Sequence, residues 1–286
     1  MNNYIEPNWP APKNVKAFTT KRTGGISKPP YESFNFSLRT GDDPDNVLAN
    51  RKKLCLELNL PTEPFWLNQQ HTNIPIHLKQ TTETYPSSLG IRLGGKERET
   101  GVHFPCMTVS NDTANNAENQ NAMGIEPIAD AAFTTAPNLV CVTMTADCVP
   151  ILVCDYAGTI VAAIHAGWKG IAAGVIEATI KAMNIDGAKL LAWLGPAIGA
   201  NSFEAGEDMR EIFTKHDPKS QKAFVAYKDR FLANIYLLAS ERLNNAGVTA
   251  IYGGEYCTFI QKELFFSFRR DGVASGRIAS LIWLTD

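Results

Sequence analysis

The residue types best suited to chemistry lie in the stretch 145–170, TADCVPILVCDYAGTIVAAIHAGWKG. Cys148 and His165 stand at the far ends of two apolar runs, 149–154 and 159–165, which are joined by the turn-forming sequence DYAG. If the runs pair as a hairpin closed at that turn, Cys148 falls directly opposite His165. Opposed residues share one face of the sheet with Cβ atoms about 4.5–5.5 Å apart. The pattern therefore predicts that the two side chains meet.

A thiolate and an imidazole on one face suit a transition-metal ion such as Zn²⁺, with ligand distances of about 2.3 Å for sulfur and about 2.0–2.1 Å for nitrogen. Spacing alone slightly favours a buried core thiol beside a hydrogen-bonded core histidine over a metal site. A third ligand would favour the metal, and among the five histidines His71, at the end of an alternating segment, is the best candidate. Three protein ligands with one open position are typical of catalytic zinc, which acidifies bound water.

The surrounding elements predict the fold class α/β, as a single compact domain of mixed or antiparallel sheets flanked by helices. Apolar or alternating patterns predict strands at residues 14–20, 65–71, 139–144, 149–154, 159–165 and 278–284. Helix signals predict helices from Asp43 and Pro44 to about Leu58, and at residues 168–183, 207–216 and 229–245. We expect one domain over 1–286, with a long polar insertion at about 79–126 that is either a lid or a flexible loop.

Composition excludes several functional classes. The chain has 286 residues, 27 basic and 29 acidic, which give a net charge of −2 and no basic face for nucleic acid. No signal peptide and no apolar run of about 18 residues is present, so we expect a cytoplasmic protein without a membrane partner. The six cysteines are irregularly spaced, which predicts free thiols. The common nucleotide-binding and zinc-hydrolase motifs are also absent from the sequence.

The motif TADCVPIL, followed by HAGWKG and preceded by QQH, resembles the signature of the laccase-domain proteins. These have been described as multicopper polyphenol oxidases and as purine nucleoside phosphorylases. The resemblance extends through SFNFSLRTGDDPDNVLANRKKL, LGPAIGANSFEAGEDM and FFSFRRDGVASGRIASLIWL. It covers almost the whole chain except about 79–126.

The resemblance implies that His71, Cys148 and His165 bind the metal, with Zn²⁺ as the expected ion and Cu²⁺ as the alternative. It also implies a fold related to the deamidase domain of cytotoxic necrotizing toxins. The implied reactions are phosphorolysis of adenosine, inosine and 5′-methylthioadenosine, with some adenosine deamination. Copper-linked polyphenol oxidation is a further implied activity, but five histidines without an HxH pair exclude a conventional multicopper oxidase.

Two other functional hypotheses remain open. Some relatives look like amidohydrolases that remove L-serine from a UDP-muramoyl peptidoglycan precursor, a larger and more acidic substrate than a nucleoside. A non-catalytic metal or ligand sensor, with the long polar segment as its binding region, is the alternative from a different class. We expect a nucleoside and phosphate as small-molecule partners, and a monomer or small homo-oligomer.

Further residues are assigned by chemistry and placement. Cys148 and Asp147 are the candidate catalytic residues. Asp147 is expected to act as a general base or as an outer partner of the site, and a turn residue is an equally good interpretation. Arg51, on the apolar face of its helix, is predicted to bind phosphate with Lys169, although either cation can also pair with an acid or extend along apolar surface. Asn35 and Gln70 are predicted to contact the purine or ribose.

The chain also departs from its relatives at two positions. Lys169 replaces the usual arginine after HAGW and so loses the bidentate fork of a guanidinium group. Ala197 stands where many relatives carry cysteine, so no fourth sulfur ligand comes from there.

Overall fold

In the computed structural model, which describes residues 3–80, 107–110 and 126–286, the strands form three sheets. In chain order the strands are β1 Tyr4–Ile5, β2 Val15–Thr20, β3 Pro75–Gln80, β4 Met107–Ser110, β5 Ala131–Thr134, β6 Cys141–Thr145, β7 Val149–Asp155, β8 Val161–Ala166, β9 Leu190–Leu194, β10 Glu204–Ala205, β11 Phe224–Tyr227, β12 Arg230–Ala233, β13 Ala250–Gly253 and β14 Ile278–Leu284. The α-helices are α1 Pro44–Glu57, α2 Trp168–Ala173, α3 Val175–Met183, α4 Glu207–His216, α5 Ile235–Asn245 and α6 Phe268–Asp271.

The four-stranded sheet has the order β1-β2-β14-β6 and is antiparallel throughout. The seven-stranded sheet has the order β13-β9-β7-β8-β5-β3-β4 and mixes parallel with antiparallel pairs. A small antiparallel sheet has the order β10-β12-β11. The predicted mixed α/β class with several sheets is therefore confirmed. The relation to the toxin deamidase fold stays a prediction.

Apolar side chains pack in layers on both faces of the two larger sheets. Along β14, Ile278 and Ile282 face the seven-stranded sheet, whereas Leu281 and Trp283 pack on the side of α1. The other face of the seven-stranded sheet buries its side chains against α2, α3, α4 and α5. The order of layers is α1, four-stranded sheet, seven-stranded sheet and helices, since each sheet buries alternate residues on opposite faces.

Local sequence signals set several element boundaries correctly. The strand predicted at 14–20 is confirmed as β2, and α1 begins at Pro44 after Asp43, whose side chain accepts a hydrogen bond from the backbone N–H of Asp45 at 2.9 Å. Oxygen side chains at this position satisfy an amide that the helix leaves unpaired. The start of α1 is thus fixed by ordinary capping chemistry.

Three element predictions are wrong. The helix expected at 168–183 is broken at Gly174, whose φ of +89° ends α2 and precedes α3. The start of the helix expected at 229–245 instead pairs as β12, and α5 begins after Asn234, whose side chain accepts from the N–H of Leu237. The strand expected at 65–71 makes two isolated bridges, at Phe65 and Asn68.

Most of the predicted insertion at about 79–126 lies outside the described residues, so the bounds of the single domain stay a prediction. Within the described part of the chain, no helix combines the length and apolar character needed to cross a membrane.

Candidate metal centre

His71, Cys148 and His165 converge at one end of the space between the two large sheets. His71 lies in the loop before β3, Cys148 directly precedes β7, and His165 belongs to β8. One ligand atom from each lies within 4.8 Å of the others, and the distance from Cys148 Sγ to His71 Nε2 is 3.6 Å. The three residues predicted as ligands are therefore brought together by segments far apart in the chain.

The predicted hairpin register is wrong by two residues. Pro150 stands opposite His165, because the turn after β7 is longer than expected. The Asp155 carboxylate accepts hydrogen bonds from the backbone of Thr159 and Ile160 and thereby holds the longer turn. Since side chains alternate with a period of two, a slip of two residues leaves Cys148 and His165 on the same face. The predicted meeting of the side chains survives for this reason.

Gly167 lies against two of the three ligands, and its lack of a side chain leaves space beside them. A Cβ atom placed on Gly167 would lie 2.5 Å from His71 Cδ2, 2.6 Å from His71 Nε2 and 2.8 Å from Cys148 Sγ. The φ of Gly167 is −71°, which any residue can adopt. Glycine is therefore required here for its small size and not for its conformational freedom. The site thus combines two imidazoles and a thiolate, which is a donor set that suits Zn²⁺, with free space beside His71 and Cys148.

Asp130, which the sequence analysis missed, organises two of the ligands. Its carboxylate oxygen Oδ1 lies 2.7 Å from His165 Nδ1 and accepts the backbone N–H of His71 at 3.0 Å. The other carboxylate oxygen, Oδ2, accepts from Thr72 Oγ1 at 2.7 Å. A histidine that bonds a carboxylate through Nδ1 keeps Nε2 for a metal, a common arrangement in zinc proteins. The signal was an acidic residue within the apolar sequence PIADAAF.

Electrostatics at the site favour the ligating form of the cysteine. Burial raises the pKa of the Cys148 thiol, but His165 and His71 outweigh it and lower the pKa below its ordinary value. Burial lowers the pKa of His165, whereas Cys148 and Asp130 raise it above its ordinary value. The thiolate is the form of cysteine that binds metals, so the two neighbouring histidines favour the ligating form of Cys148.

Asp130→Asn tests the outer partner of the site. An amide keeps the size of the carboxylate but removes its charge and one of its two acceptor oxygens, which weakens the hydrogen bonding that fixes the tautomer and ring orientation of His165. We expect metal affinity to fall about 10–100-fold. Competition with a chelating dye of known affinity measures this, with circular dichroism as a control for folding. Wild-type affinity in the variant would show that the carboxylate does not support the ligand.

The ligands open onto a cavity of about 540 Å³. Among the described residues that line it, the aromatic side chains are Trp168, Phe203 and Phe268. The basic side chains in the same lining are Arg39, Lys169, Arg269 and Arg277. Of these, only Lys169 was predicted. The FSFRRDG sequence, with two arginines beside phenylalanines, was the available signal for part of the others.

Asp147 lines the cavity but its carboxylate is occupied. Oδ1 accepts from Thr258 Oγ1 at 2.6 Å, while Oδ2 accepts from Ser267 Oγ at 3.0 Å and from the backbone N–H of Arg269 at 2.6 Å. A carboxylate that holds three donors is poorly placed to remove a proton from a substrate. The geometry favours the outer-partner role, in which Asp147 fixes the segment around Arg269 beside Cys148.

Two residues of the site adopt positive φ although neither is glycine. His71 has a φ of +60° and Asp147 a φ of +84°. Such conformations cost about 1–3 kcal/mol each and cluster at functional sites. Both side chains are thereby directed by backbone that the surrounding contacts hold in place.

Arg51 does not line the cavity. Its Nε and Nη2 donate to the carbonyl of Phe36 at 3.0 and 2.8 Å, and Nη2 also lies 2.8 Å from Glu126 Oε1. The guanidinium packs over the Trp66 ring at 4.0 Å. This arrangement is the acid-paired alternative of the sequence analysis, and it leaves Arg51 no fork for phosphate.

Asn35 and Gln70 also stand outside the lining. Asn35 is fully buried, and its amide donates to Thr40 and Asp42 while its Oδ1 accepts the backbone N–H of Arg277. Gln70 is exposed and binds Asp130 through its backbone N–H. Neither side chain is placed to contact a purine in the cavity, because one is enclosed in the protein and the other faces solvent.

Comparisons with known proteins identify the family of the chain. The family described as multi-copper polyphenol oxidoreductase laccase matches residues 16–285. The chain is 43% identical over 284 residues to purine nucleoside phosphorylase YfiH of Escherichia coli strain K12, covering 99% of this chain and 100% of the relative. It is 40% identical to purine nucleoside phosphorylase PA4543 of Pseudomonas aeruginosa, with both chains fully covered.

Among solved structures, Neisseria meningitidis protein NMB0706 is similar with a TM-score of 0.81 and 38% identity, with both chains fully covered. Bacillus licheniformis protein YfiH matches with a TM-score of 0.75 and 26% identity over 95% of this chain and 93% of the other. The sequence match extends through the segments that carry His71, Cys148 and His165. The chain therefore belongs to the multi-copper polyphenol oxidoreductase laccase family.

Proposed function

We propose that the protein is a zinc-dependent purine nucleoside phosphorylase that acts on adenosine, inosine and 5′-methylthioadenosine. The observation that carries the proposal is that the three candidate ligands open onto the same cavity as a set of aromatic and basic side chains. The names of relatives at 40–43% identity support the same reaction class.

The cavity suits a nucleoside and phosphate in size and chemistry. Its volume of about 540 Å³ falls within the range of about 300–1,000 Å³ common for small-molecule sites. Trp168 and Phe268 offer ring faces for a purine, and stacking on aromatic rings accepts adenine and hypoxanthine alike. The basic side chains offset the charge of phosphate as its oxygen bonds to the sugar carbon and the bond to the base breaks.

His71, Cys148 and His165 would hold the ion. Bound zinc would supply Lewis-acid chemistry at the inner end of the cavity. Asp130 keeps the Nδ1 proton of His165 in place, and Asp147 fixes the backbone of Arg269 beside the cavity. A thiolate and two imidazoles are also acceptable to copper, so metal analysis of protein purified without added metal distinguishes the two ions.

A side activity on adenosine, its deamination to inosine, belongs to the same proposal because it uses the same cavity and purine. A second candidate function is removal of L-serine from a UDP-muramoyl precursor. The observation that favours it is the basic lining, since four cationic side chains also suit an acidic substrate larger than a nucleoside. The cytoplasmic location and the oligomeric state stay predictions.

Product analysis separates these functions. Zinc-loaded protein is incubated with adenosine, with and without phosphate, and products are resolved by chromatography. We expect adenine and ribose 1-phosphate only with phosphate, and inosine in both if deamination occurs. Protein with Asp130→Asn, assayed in parallel, controls for a contaminating phosphorylase because its activity should fall with its metal content.

Absence of any product from adenosine, inosine and 5′-methylthioadenosine would contradict the phosphorylase proposal. Release of serine from the muramoyl precursor by the same preparation would then assign the second candidate function to the site.

A further inference from the structure

Arg277 lines the cavity directly before β14 and is held from two sides. Its Nη1 donates to the carbonyl of Ser275 at 2.6 Å and to that of Gly276 at 3.0 Å. Its backbone N–H donates to Asn35 Oδ1 at 2.9 Å, and its guanidinium lies 5.8 Å from the centre of the Phe268 ring. The side chain is therefore oriented before any ligand arrives.

The remaining edge of this guanidinium has no hydrogen-bond acceptor among the residues that the structure describes. Within the described ranges, neither Nε nor Nη2 of Arg277 makes a hydrogen bond, and no carboxylate forms an ion pair with it. The Nε–Nη2 edge is the fork that binds two oxygens of a phosphate in parallel. In Arg51, by contrast, the same two nitrogens are occupied. Nε and Nη2 donate to the Phe36 carbonyl, and Nη2 also pairs with Glu126.

Arg277 also differs from the other basic residues of the lining. Arg39 shares Glu126 with Arg51, and Arg269 and Lys169 are exposed. Burial lowers the pKa of Arg277, whereas the nearby Cys148 and Asp147 raise it, so its charge acts next to the candidate metal ligands. A partly desolvated cation without a carboxylate partner is a strong site for an anion, because a buried charge is stabilised by pairing.

We propose that Arg277 binds the phosphate co-substrate through its Nε–Nη2 edge, beside the site formed by His71, Cys148 and His165. This inference rests on the proposed phosphorylase function and identifies its phosphate subsite. Asn35 is then a positioning residue, because it holds the backbone of Arg277 and reaches no substrate itself. The inference assigns to Arg277 the phosphate-binding role that the sequence predicted for Arg51, more than two hundred residues earlier in the chain.

The test compares Arg277→Gln, which removes the charge, with Arg277→Lys, which keeps the charge but loses the fork. The matched control is Arg210→Gln, since Arg210 also packs its guanidinium near a phenylalanine, Phe231, but does not line the cavity. We expect the KM for phosphate to rise about 10–100-fold in Arg277→Gln and less in Arg277→Lys, since a charge-assisted pair of hydrogen bonds is lost. The KM for inosine should change about twofold or less, consistent with a subsite for phosphate alone.

Calorimetric titration of inorganic phosphate into the zinc-loaded proteins makes the test independent of turnover. Binding to wild type and to Arg210→Gln that is lost in Arg277→Gln supports the inference, even if no nucleoside is cleaved and the proposed function fails. Unchanged phosphate affinity in Arg277→Gln, or no binding to wild type, overturns it. An equal rise in KM for inosine and phosphate also overturns it, since that marks a general loss of cavity structure.

Discussion

Replacing Cys148 with alanine is expected to remove the bound metal and turnover together while the protein stays folded. Cys148 supplies the only sulfur among the three candidate ligands, and its thiolate is stabilised by both histidines. Loss of an outer partner typically lowers metal affinity about 10–100-fold, and loss of a direct ligand should lower it further. Elemental analysis after gel filtration measures the metal, and product chromatography measures turnover on the same sample.

Cys55→Ala is the matched control, because Cys55 is a half-buried free cysteine on α1 outside the cavity lining. It should retain metal and turnover. If a zinc-free Cys148→Ala protein turns over at the wild-type rate, the reaction does not use this metal site. Retention of metal with normal affinity would instead show that Cys148 is not a ligand.

Gly167→Ala is expected to prevent metal binding without removing any ligand. The added methyl group would lie 2.5–2.8 Å from atoms of His71 and Cys148, which is closer than real Cβ contacts. The backbone at this position already has a φ that alanine accepts, so folding should be little affected. We expect affinity to fall at least about a hundredfold, comparable to losing a ligand. Titration with a chelating dye provides the measurement.

Gly170→Ala, three residues further along in α2, serves as the control. Its added Cβ would meet only ordinary contacts, the nearest at 3.5 Å from Val175, and alanine is favoured over glycine within a helix. This variant should bind metal as the wild type does and be slightly more stable. Equal metal binding in Gly167→Ala and Gly170→Ala would place the ion elsewhere than between the three ligands.

Local chemistry explains why parts of the fold and site could be predicted from the sequence. Asp43 and Pro44 mark the start of α1 because capping involves only neighbouring residues. Cys148 and His165 could be paired because a turn and a period of two determine which side chains share a face, even though the exact register was shifted by two residues. Identification of His71 as the third ligand depended on choosing among five histidines and on the family resemblance.

The rest depends on contacts between distant segments. The burial of Arg51 could be read from its helix face, but its partner Glu126 is 75 residues away, and no pattern in α1 indicates that it occupies the fork. Asp130 was missed because its role appears only when the loop of His71 meets β8. Arg277 illustrates the same limit, since its exposure to the cavity follows from the packing of β14 between β2 and β6.

The positive φ angles of His71 and Asp147 have an evolutionary consequence. Glycine would relax the backbone at either position, but at Asp147 the loss of three hydrogen bonds would offset that gain, so selection for stability alone would favour glycine only at His71. Glycine in place of His71 would delete a candidate ligand, and in place of Asp147 it would release Thr258, Ser267 and Arg269 from their shared acceptor. His71 therefore marks a position where the sequence gives up some stability for chemistry, and attempts to stabilise the protein by relieving positive φ angles should leave it unchanged.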